Sequence, residues 1–453
     1  MGETAKKAKY PAGYWVCCLA YTFERFAFYG SKPLLILFLT TAVAKGGLGI
    51  DDVTAAQVAA QLTAWTYIAP VVGGWISDRW LGARYAVSIG CLLMGIGYLF
   101  GWQAHSVTNI WIMIAVVSIG TGLFKGNLAA IIGRMFDDKE LLDSAFSIQY
   151  SFVNIGSFFG SAICGVLYLN QFKQGEVLGF RPVFLVCAIL VILGGVMFTA
   201  CYGLLKGQGI KPFKYLTDTE GNIVGMMHKE KGEKSTEPLT KKEKDGTIAI
   251  ILVSLFSVIF WLAYYQQDIA LTLYMRDYAN MNLFGFTLSE AHVTTTWNGL
   301  MCIFLSLIFA KIWAALSKRP QGDMSMFRKI GMSFFFMAAA YAVLLIAELG
   351  RGNGEISVVW CLGFGVFLTI GEIFFSPLGN SFVSKHAPKK YLSLLMGVWT
   401  LATFVATQIN GQFMKVVEKM GYLQIFISFT VGLIICGIIM FALTKKLDKL
   451  TQE

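Results

Sequence analysis

The chain has 453 residues, of which 56% are hydrophobic and only 14% are charged. Because soluble domains carry about 25% charged residues, this composition excludes an ordinary soluble protein and indicates an integral membrane protein. The net charge of +10 does not predict a nucleic-acid partner, because most Lys and Arg residues fall in alternate loops between apolar runs.

Apolar runs long enough to cross a bilayer follow one another along nearly the whole sequence. A transmembrane helix needs about 20 predominantly apolar residues. The runs lie near residues 13–40, 56–76, 85–104, 109–133, 145–168, 181–205, 247–275, 292–315, 327–348, 356–384, 391–417 and 422–444. The sequence therefore predicts an all-α membrane protein with about twelve transmembrane helices.

The basic residues of the loops predict the orientation in the membrane. Lys and Arg precede the first run, follow the second, eighth and tenth runs, and follow the last run. This positive-inside pattern predicts that both termini are cytoplasmic, which requires an even number of spans. The compact loops and the lack of targeting features favour a multi-pass protein of the cell membrane, namely a bacterial inner membrane.

One polar connector divides the chain. From Lys206 to Asp245 it carries nine Lys and seven Asp or Glu residues, and its Glu-Gly-Asn at 220–222 suggests a turn between two short extended runs. With six runs on either side, we expect an N-terminal six-helix bundle over 1–205, a cytoplasmic linker over 206–246 and a C-terminal six-helix bundle over 247–453. This layout resembles that of the major facilitator transporters.

The loop after the second run supports the same resemblance. It reads "GGWISDRWLGAR", residues 73–84, in which Gly73 and Gly74 would allow close helix approach. Asp78, Arg79 and Arg84 then form a charged group at the cytoplasmic helix ends. The stretch resembles the major facilitator loop motif G-x-x-x-D-x-x-G-x-[RK], which implies that these residues pin the gate between helices.

Six charges lie inside the predicted spans away from the span ends, where a lysine such as Lys311 can extend to the interface. They are Glu24, Arg25 and Lys32 on the first, Lys125 on the fourth, Asp268 on the seventh and Glu372 on the tenth. A charge at bilayer depth costs ~2.5–3.5 kcal/mol on insertion scales and normally faces a cavity or a partner. The first half is net positive here and the second net negative, which suits a zwitterion with a free carboxylate and a free amine. Alternatively, Glu24 pairs with Arg25 or Lys125 only to hold helices together.

Four stretches carry a more specific resemblance. They are "ERFAFYG" at 24–30, "GTGLFKGN" at 120–127, "YSFVNIGSFFG" at 150–160 and "GEIFFSPLGNSFVSKHAPKKYLSLLMGVWTLAT" at 371–403. In this order they resemble the first-, fourth-, fifth- and tenth-to-eleventh-helix signatures of the proton-dependent oligopeptide transporters, the peptide branch of the major facilitators. Tyr67 and Asn298 also fall at family positions, so the resemblance covers nearly the whole chain.

The resemblance implies roles for particular side chains. Arg25, Lys32 and Lys125 would receive the peptide carboxylate, and Glu372 would take the N-terminal ammonium. The remaining implied substrate-binding residues are Tyr29, Tyr67, Asn154, Asn298, Ser376 and Trp399. For Trp399 alone, ordinary packing is the alternative.

The sequence departs from the family at two acidic positions. The first Glu of the family's E-x-x-E-R motif is Tyr21 here, and the acidic residue that precedes a Gln on the seventh helix is Tyr265. Because tyrosine has an unperturbed pKa near 10, it is a poor proton carrier near neutral pH. We expect Glu24, Asp268 and Glu372 to carry proton coupling instead, with Asp268 as an acid that the family motif lacks.

These features predict a secondary transporter that imports di- and tripeptides by alternating access and is coupled to protons. The alternative is the same fold acting as a facilitator, exchanger or symporter for another small zwitterionic or peptide-like solute. A membrane enzyme is not expected, because no histidine lies in a nucleophile motif. No cofactor or metal is expected, since the nine cysteines and four histidines show no ligand spacing. The expected partners are small peptides, protons and the lipid bilayer, with no nucleic acid, and the expected state is a monomer.

Overall fold

The computed structural model describes residues 10–136, 139–212, 215–217, 223–226, 240–320, 322–376, 382–383, 385–388 and 391–451. Six long helices occupy the first half of the chain, and each overlaps one of the first six predicted spans. They are α1 (Ala12–Thr40), α2 (Asp52–Ile76), α3 (Ala83–Trp102), α4 (Val107–Gly133), α5 (Lys139–Val166) and α6 (Phe180–Ala200). A π-helical turn extends α2 over Ser77–Leu81, and another extends α5 over Leu167–Gln171.

The second half is also built from long helices. They are α7 (Lys241–Tyr265), α8 (Ala270–Tyr278), α9 (Val293–Ser317), α10 (Met326–Arg351), α11 (Val358–Phe375) and α12 (Leu392–Thr451). In hydrocarbon every backbone N–H and C=O must be paired within the segment, and apolar runs of this length meet that requirement as helices. In the part of the chain that the structure describes, nine segments are long and apolar enough to cross a membrane.

Three predicted spans differ in detail from the observed helices. The seventh, expected as one run over 247–275, is broken by a 3-10 turn at Gln266–Asp268 between α7 and α8. The eleventh and twelfth are joined in α12, whose 60 residues suffice for two crossings. Gly421 interrupts α12 with φ 77° and ψ 158°, a backbone conformation that favours glycine. The break lies between the two runs expected from the sequence.

Short strands complete the structure. In the connector, β1 (Tyr215–Thr217) pairs antiparallel with β2 (Ile223–Met226), which confirms the two extended runs, while the predicted turn between them lies outside the described residues. Near the α8–α9 connection, β3 (Ala279–Asn280) pairs parallel with β6 (Ile356–Ser357). There β4 (Asn282–Leu283) and β5 (Phe286–Thr287) form a hairpin.

The chain forms two compact units that we describe separately. Unit 1 comprises residues 1–31, 68–160 and 181–231, and unit 2 comprises 32–67, 161–180 and 232–453. Two of the unit boundaries fall close to prolines inside helices, Pro33 in α1 and Pro70 in α2. The predicted division into bundles over 1–205 and 247–453 remains a prediction.

Each unit has its own packing. In unit 1, α3 and α4 touch backbone to backbone, where a Cβ on Gly90 would lie 2.6 Å from the carbonyl oxygen of Gly120. In unit 2, aromatic rings fill the core between α7, α10 and α11, and Phe260 stacks on Phe375 at 4.1 Å between centroids. Such close packing holds the polar side chains described next in fixed positions.

Candidate functional site

The first group of charges lies on α1 in unit 1. Glu24 and Arg25 are 1% and 6% exposed, and they form a two-pronged ion pair. Arg25 Nε donates to Glu24 Oε2 at 2.5 Å, and Arg25 Nη2 donates to Glu24 Oε1. Because both charges are buried, this pairing offsets the cost of removing them from water. Glu24 thus meets one of the two basic residues that the sequence left open as its partner, and this pair lies within α1.

Aromatic rings surround the Arg25 guanidinium. Its Cζ lies 4.8 Å from the ring centroid of Phe28, 5.7 Å from that of Tyr29 and 5.9 Å from that of Tyr21. A cation within about 6 Å of a ring face is attracted by the ring quadrupole. Tyr21, which replaces the family glutamate, therefore contributes to holding Arg25 in place.

Helix α5 packs against α1 at the same level. A Cβ on Gly156 would lie 2.6 Å from the carbonyl oxygen of Thr22 and 2.9 Å from Cβ of Arg25. Only glycine permits this approach of the two backbones. The glycine of the fifth-helix motif thus sets the position of Arg25. The neighbouring Asn154 donates through Nδ2 to the carbonyl oxygen of Tyr150 at 3.1 Å, within its own helix.

Lys125 belongs to the same unit. It lies on α4, is half-buried and interacts electrostatically with Arg25 and Glu24. The close contact of α4 with α2 positions it, because a Cβ on Gly73 would lie 2.1 Å from the carbonyl oxygen of Gly122. Arg25, Glu24 and Lys125 therefore form one charged group in unit 1, with net charge +1 when all three are ionised.

The loop motif after α2 shows a different pairing from that expected. Gly73 makes the predicted close approach, whereas Gly74 does not, since a Cβ there would meet nothing within 4 Å. The charged residues take separate partners. Arg84 donates to the carbonyl oxygen of Gln208 at 2.9 and 3.1 Å, and the Arg79 guanidinium lies 4.5 Å from the ring of Trp75. Burial raises the pKa of the Asp78 carboxyl, and the charge of Arg134 opposes that shift.

A second group of charges lies in unit 2. Lys32 Nζ forms an ion pair with Asp268 Oδ2 at 2.7 Å, and the two side chains are 8% and 10% exposed. Asp268 occupies the 3-10 turn that breaks the seventh span, which turns it toward the end of α1. Lys32 also lies 4.8 Å from the ring centroid of Tyr265. Lys32 was predicted to bind the substrate carboxylate. In this structure it binds the carboxylate of Asp268.

Tyr265 links this pair to neighbouring helices. Its hydroxyl lies 2.5 Å from that of Tyr67 on α2, and its carbonyl oxygen accepts from Asn410 Nδ2 on α12 at 3.0 Å. Lys32, Tyr265, Asp268 and Asn410 line one small cavity. Sequence reasoning missed Asn410. A polar amide inside an apolar span was the available signal.

Further side chains join the first and second halves of the chain within unit 2. Gln61 on α2 and Gln408 on α12 exchange two side-chain hydrogen bonds of 3.0 Å. Arg276 on α8 donates to both carboxylate oxygens of Asp52 at 2.9 and 3.1 Å. Such a bidentate pair is the stronger form of charge-assisted bond.

The third acid, Glu372, also lies in unit 2. Its Oε2 accepts from Asn298 Nδ2 at 2.9 Å and from the Tyr264 hydroxyl at 3.1 Å. Asn298 donates in addition to the Thr369 hydroxyl at 2.9 Å, which fixes its amide. Asn298, which was predicted to contact substrate, donates to Glu372 in this structure. Tyr264 and Thr369 were not anticipated, although both lie on spans that carry predicted site residues.

The last two predicted residues follow the end of α11. Ser376 is exposed, and its backbone N–H donates to the carbonyl oxygen of Glu372 at 2.7 Å. Trp399 on α12 stacks on Phe375 at 6.1 Å between centroids and is half-buried. Trp399 therefore packs against the aromatic core while part of its surface stays accessible.

The three acidic residues Glu24, Asp268 and Glu372 differ in the charge of the groups that bind them. Glu24 and Asp268 each form an ion pair with a basic residue, whereas the groups that donate hydrogen bonds to Glu372 are neutral in the part of the chain that is described. Lys32 also acts electrostatically on Glu372, but its ion pair is with Asp268. Neutral donors stabilise a carboxylate without neutralising its charge. Glu372 is thus suited to receive a cationic group from outside the protein.

Comparison with known proteins places the chain in a class. A family model described as "Major Facilitator Superfamily" matches residues 15–411. The chain belongs to this superfamily of membrane transporters, so the predicted major facilitator fold and the prediction of a transporter rather than an enzyme are confirmed. The predicted resemblance to the proton-dependent oligopeptide transporters accords with the names of the relatives described next.

Individual relatives cover almost the whole chain. A di-/tripeptide transporter of Lactococcus lactis subsp. cremoris is 24% identical over 95% of this chain and 94% of that protein. A dipeptide and tripeptide permease A of Erwinia pyrifoliae is 26% identical over 98% of this chain and 96% of that protein. A crystal structure of peptide transporter POT in complex with sulfate superposes with a TM-score of 0.87 at 23% identity, covering 99% of this chain and 97% of that one.

Proposed function

We propose that this protein imports di- and tripeptides across the membrane and couples their movement to protons. The names of its relatives, a di-/tripeptide transporter and a dipeptide and tripeptide permease, support this substrate class. Proton coupling accords with the family. Transport would proceed by alternating access, in which two bundles rock about a central site. The unit of transport would be a monomer.

The main support for this proposal is the hydrogen bonding of the Glu372 carboxylate. A peptide ends in an ammonium and a carboxylate, and Glu372 is a carboxylate held by neutral donors. Its side chain would accept the ammonium. Arg25 and Lys125 in unit 1 would bind the substrate carboxylate once the ion pair between Glu24 and Arg25 has separated. Tyr29, Asn154, Tyr67, Ser376 and Trp399 would contact the rest of the substrate.

Coupling would involve the ion pair of Lys32 and Asp268. Protonation of Asp268 removes the charge that binds Lys32, since a neutral carboxyl attracts an ammonium far less. The pair would then separate, and Lys32 would be freed to attract the substrate carboxylate. Glu24 would act in the same way on Arg25, while Glu372 would exchange a proton or an ammonium.

The orientation follows from the loop charges. With both termini in the cytoplasm, the connector between the two halves is cytoplasmic, as is the gating loop with Gly73, Asp78, Arg79 and Arg84. The ends of α1, α5 and α8 then face the outside. The low charge content of the loops that would be translocated accords with this orientation. The membrane would be a bacterial inner membrane.

The direct test is uptake of labelled dialanine into proteoliposomes, with and without an imposed inward proton gradient. Accumulation above the external concentration that requires the gradient would support a peptide–proton symporter. Equilibration without accumulation would contradict coupling but retain peptide transport. Absence of uptake in both conditions would contradict the peptide assignment.

A second candidate function is import of another small zwitterion. A crystal structure of a POT family transporter in complex with 5-aminolevulinic acid superposes with a TM-score of 0.82 at 25% identity, covering 98% of each chain. That ligand has an amine and a carboxylate like a peptide. Competition decides between the two: a tenfold excess of 5-aminolevulinic acid that blocks dialanine uptake, and itself accumulates, would favour the broader class.

A further inference from the structure

A cluster of polar side chains in unit 2 lies apart from the residues discussed so far. Tyr168 belongs to the π-helical turn after α5, and Ser289, Glu290 and His292 belong to the connection that leads into α9. These segments come from opposite halves of the sequence. Tyr168 and His292 are each 1% exposed, and Ser289 is 8% exposed.

The Tyr168 hydroxyl is the centre of this cluster. It donates to Glu290 Oε2 at 2.9 Å and accepts from Ser289 Oγ at 3.3 Å. Ser289 Oγ also lies 2.9 Å from His292 Nδ1 and accepts from the backbone N–H of His292 at 3.2 Å. The bond to Glu290 involves a carboxylate, and charge-assisted bonds are about twice as strong as neutral ones.

Three features indicate more than ordinary packing. A π-helical turn is rare and is frequently found at functional sites. Tyr168 is placed by this turn and by stacking on Phe180, with ring centroids 5.4 Å apart. In addition, a Cβ on Gly165 would lie 3.2 Å from Cβ of Ser289 and 3.3 Å from Cβ of His292, so the two segments are in direct contact.

We propose that Tyr168, Ser289, Glu290 and His292 form a latch that holds the outward-facing end of the transporter closed and must break in each transport cycle. The latch joins residues of the two predicted bundles, as do Lys32–Asp268 and Asp52–Arg276 on the same side of the membrane. Hydrogen bonds of this kind form and break at small net free energy, which suits an interaction made in one state only. The proposal rests on the alternating-access transport proposed above.

The first experiment measures opening without any substrate. Ala60 on α2 is 2% exposed and lies beside the cavity near Asp268. In proteoliposomes, Ala60→Cys is labelled by a membrane-impermeant maleimide added outside, and labelling is followed at that peptide by mass spectrometry. Tyr168→Phe removes one hydroxyl and keeps the ring. We expect the labelling rate at residue 60 to rise about 10- to 150-fold in this variant, because it loses the charge-assisted hydrogen bond to Glu290.

A matched control removes a buried hydroxyl elsewhere. Tyr341 is also buried and donates to the carbonyl oxygen of Ala263 at 2.7 Å within the second half of the chain. Tyr341→Phe should leave the labelling rate at residue 60 unchanged. If Tyr168→Phe leaves the rate unchanged as well, or if both variants raise it equally, the latch is refuted.

The second experiment locks the segments together. Gly165→Cys with Ser289→Cys places two Cβ atoms near the usual distance for a disulfide, about 3.5–4.5 Å. Oxidation should reduce labelling at residue 60 at least tenfold, and a reductant should restore it, while oxidation should not lower the labelling rate of either single variant. Continued labelling of the cross-linked protein would overturn the proposal. A response in labelling without any dialanine uptake would uphold the latch and reject the peptide substrate.

Discussion

At the scale of single residues, Asp268 is an acidic residue that the family's seventh-helix motif lacks. Its ion pair with Lys32 is nearly buried, so protonation and pairing exclude each other. We expect Asp268→Asn to abolish pH-driven accumulation of dialanine while counterflow exchange continues. Glu355→Gln, at an exposed acid, provides the control. Unchanged accumulation in Asp268→Asn would show that coupling resides elsewhere.

Glu372 makes a separate prediction, since it should bind the ammonium of the substrate. Glu372→Gln keeps the size and the hydrogen bonds but removes the charge. A charge-assisted bond is worth about 1.5–3 kcal/mol, so the affinity for dialanine should fall by about 10- to 150-fold. N-acetyl-dialanine lacks the ammonium. It should bind weakly to the native protein and no more weakly to the variant, and a further loss for that ligand would contradict the assignment.

At the scale of helices, the contact between α1 and α5 determines where Arg25 lies. Gly156→Ala places a methyl group 2.6 Å from the Thr22 carbonyl oxygen and 2.9 Å from Cβ of Arg25. Overpacking of this kind costs about 1–3 kcal/mol. We expect a lower melting temperature and weaker dialanine binding. Gly126→Ala on α4 meets nothing within 4 Å and should leave binding unchanged with equal or higher stability. Equal behaviour of the two variants would refute a positioning role for this contact.

At the scale of the whole molecule, the testable feature is the topology. The connector carries nine Lys residues from Lys206 to Asp245, and all of them except Lys211, which precedes Pro212, are sites for trypsin. We expect trypsin to leave the chain intact when added outside sealed right-side-out vesicles and to separate it into two halves after permeabilisation. Cleavage before permeabilisation would reverse the predicted orientation of both termini.

Much of the fold could be predicted from sequence because membrane helices are encoded locally. The predicted runs near 13–40 and 56–76 lie within one to four residues of α1 and α2. Two features of the helices were not predicted from the sequence. The break before Asp268 has no proline or glycine to mark it, and the extra length of α12 depends on continuation of helix up to Gly421. Both are decided by packing rather than by local pattern.

The site residues were predicted as positions but not as pairs. Sequence reasoning placed Arg25 and Lys32 on the first span, and it left open whether Glu24 met Arg25 or Lys125. In the structure Glu24 pairs with Arg25 and Lys32 pairs with Asp268. Asn298 donates a hydrogen bond to Glu372. Partners from distant parts of the chain depend on which helices adjoin, which no single helix encodes.

The sequence by itself determined that this protein spans a membrane many times, which segments cross, and that it belongs to the major facilitator superfamily. Hydrophobic length and motif order are properties of contiguous residues, and the bilayer requires each such run to be helical. Only the tertiary structure decided that neutral groups such as Tyr264 donate hydrogen bonds to Glu372, that Asp268 is paired with Lys32, and that Tyr168 meets Glu290. These contacts join residues separated by 108, 236 and 122 positions, and helix packing alone brings such residues together.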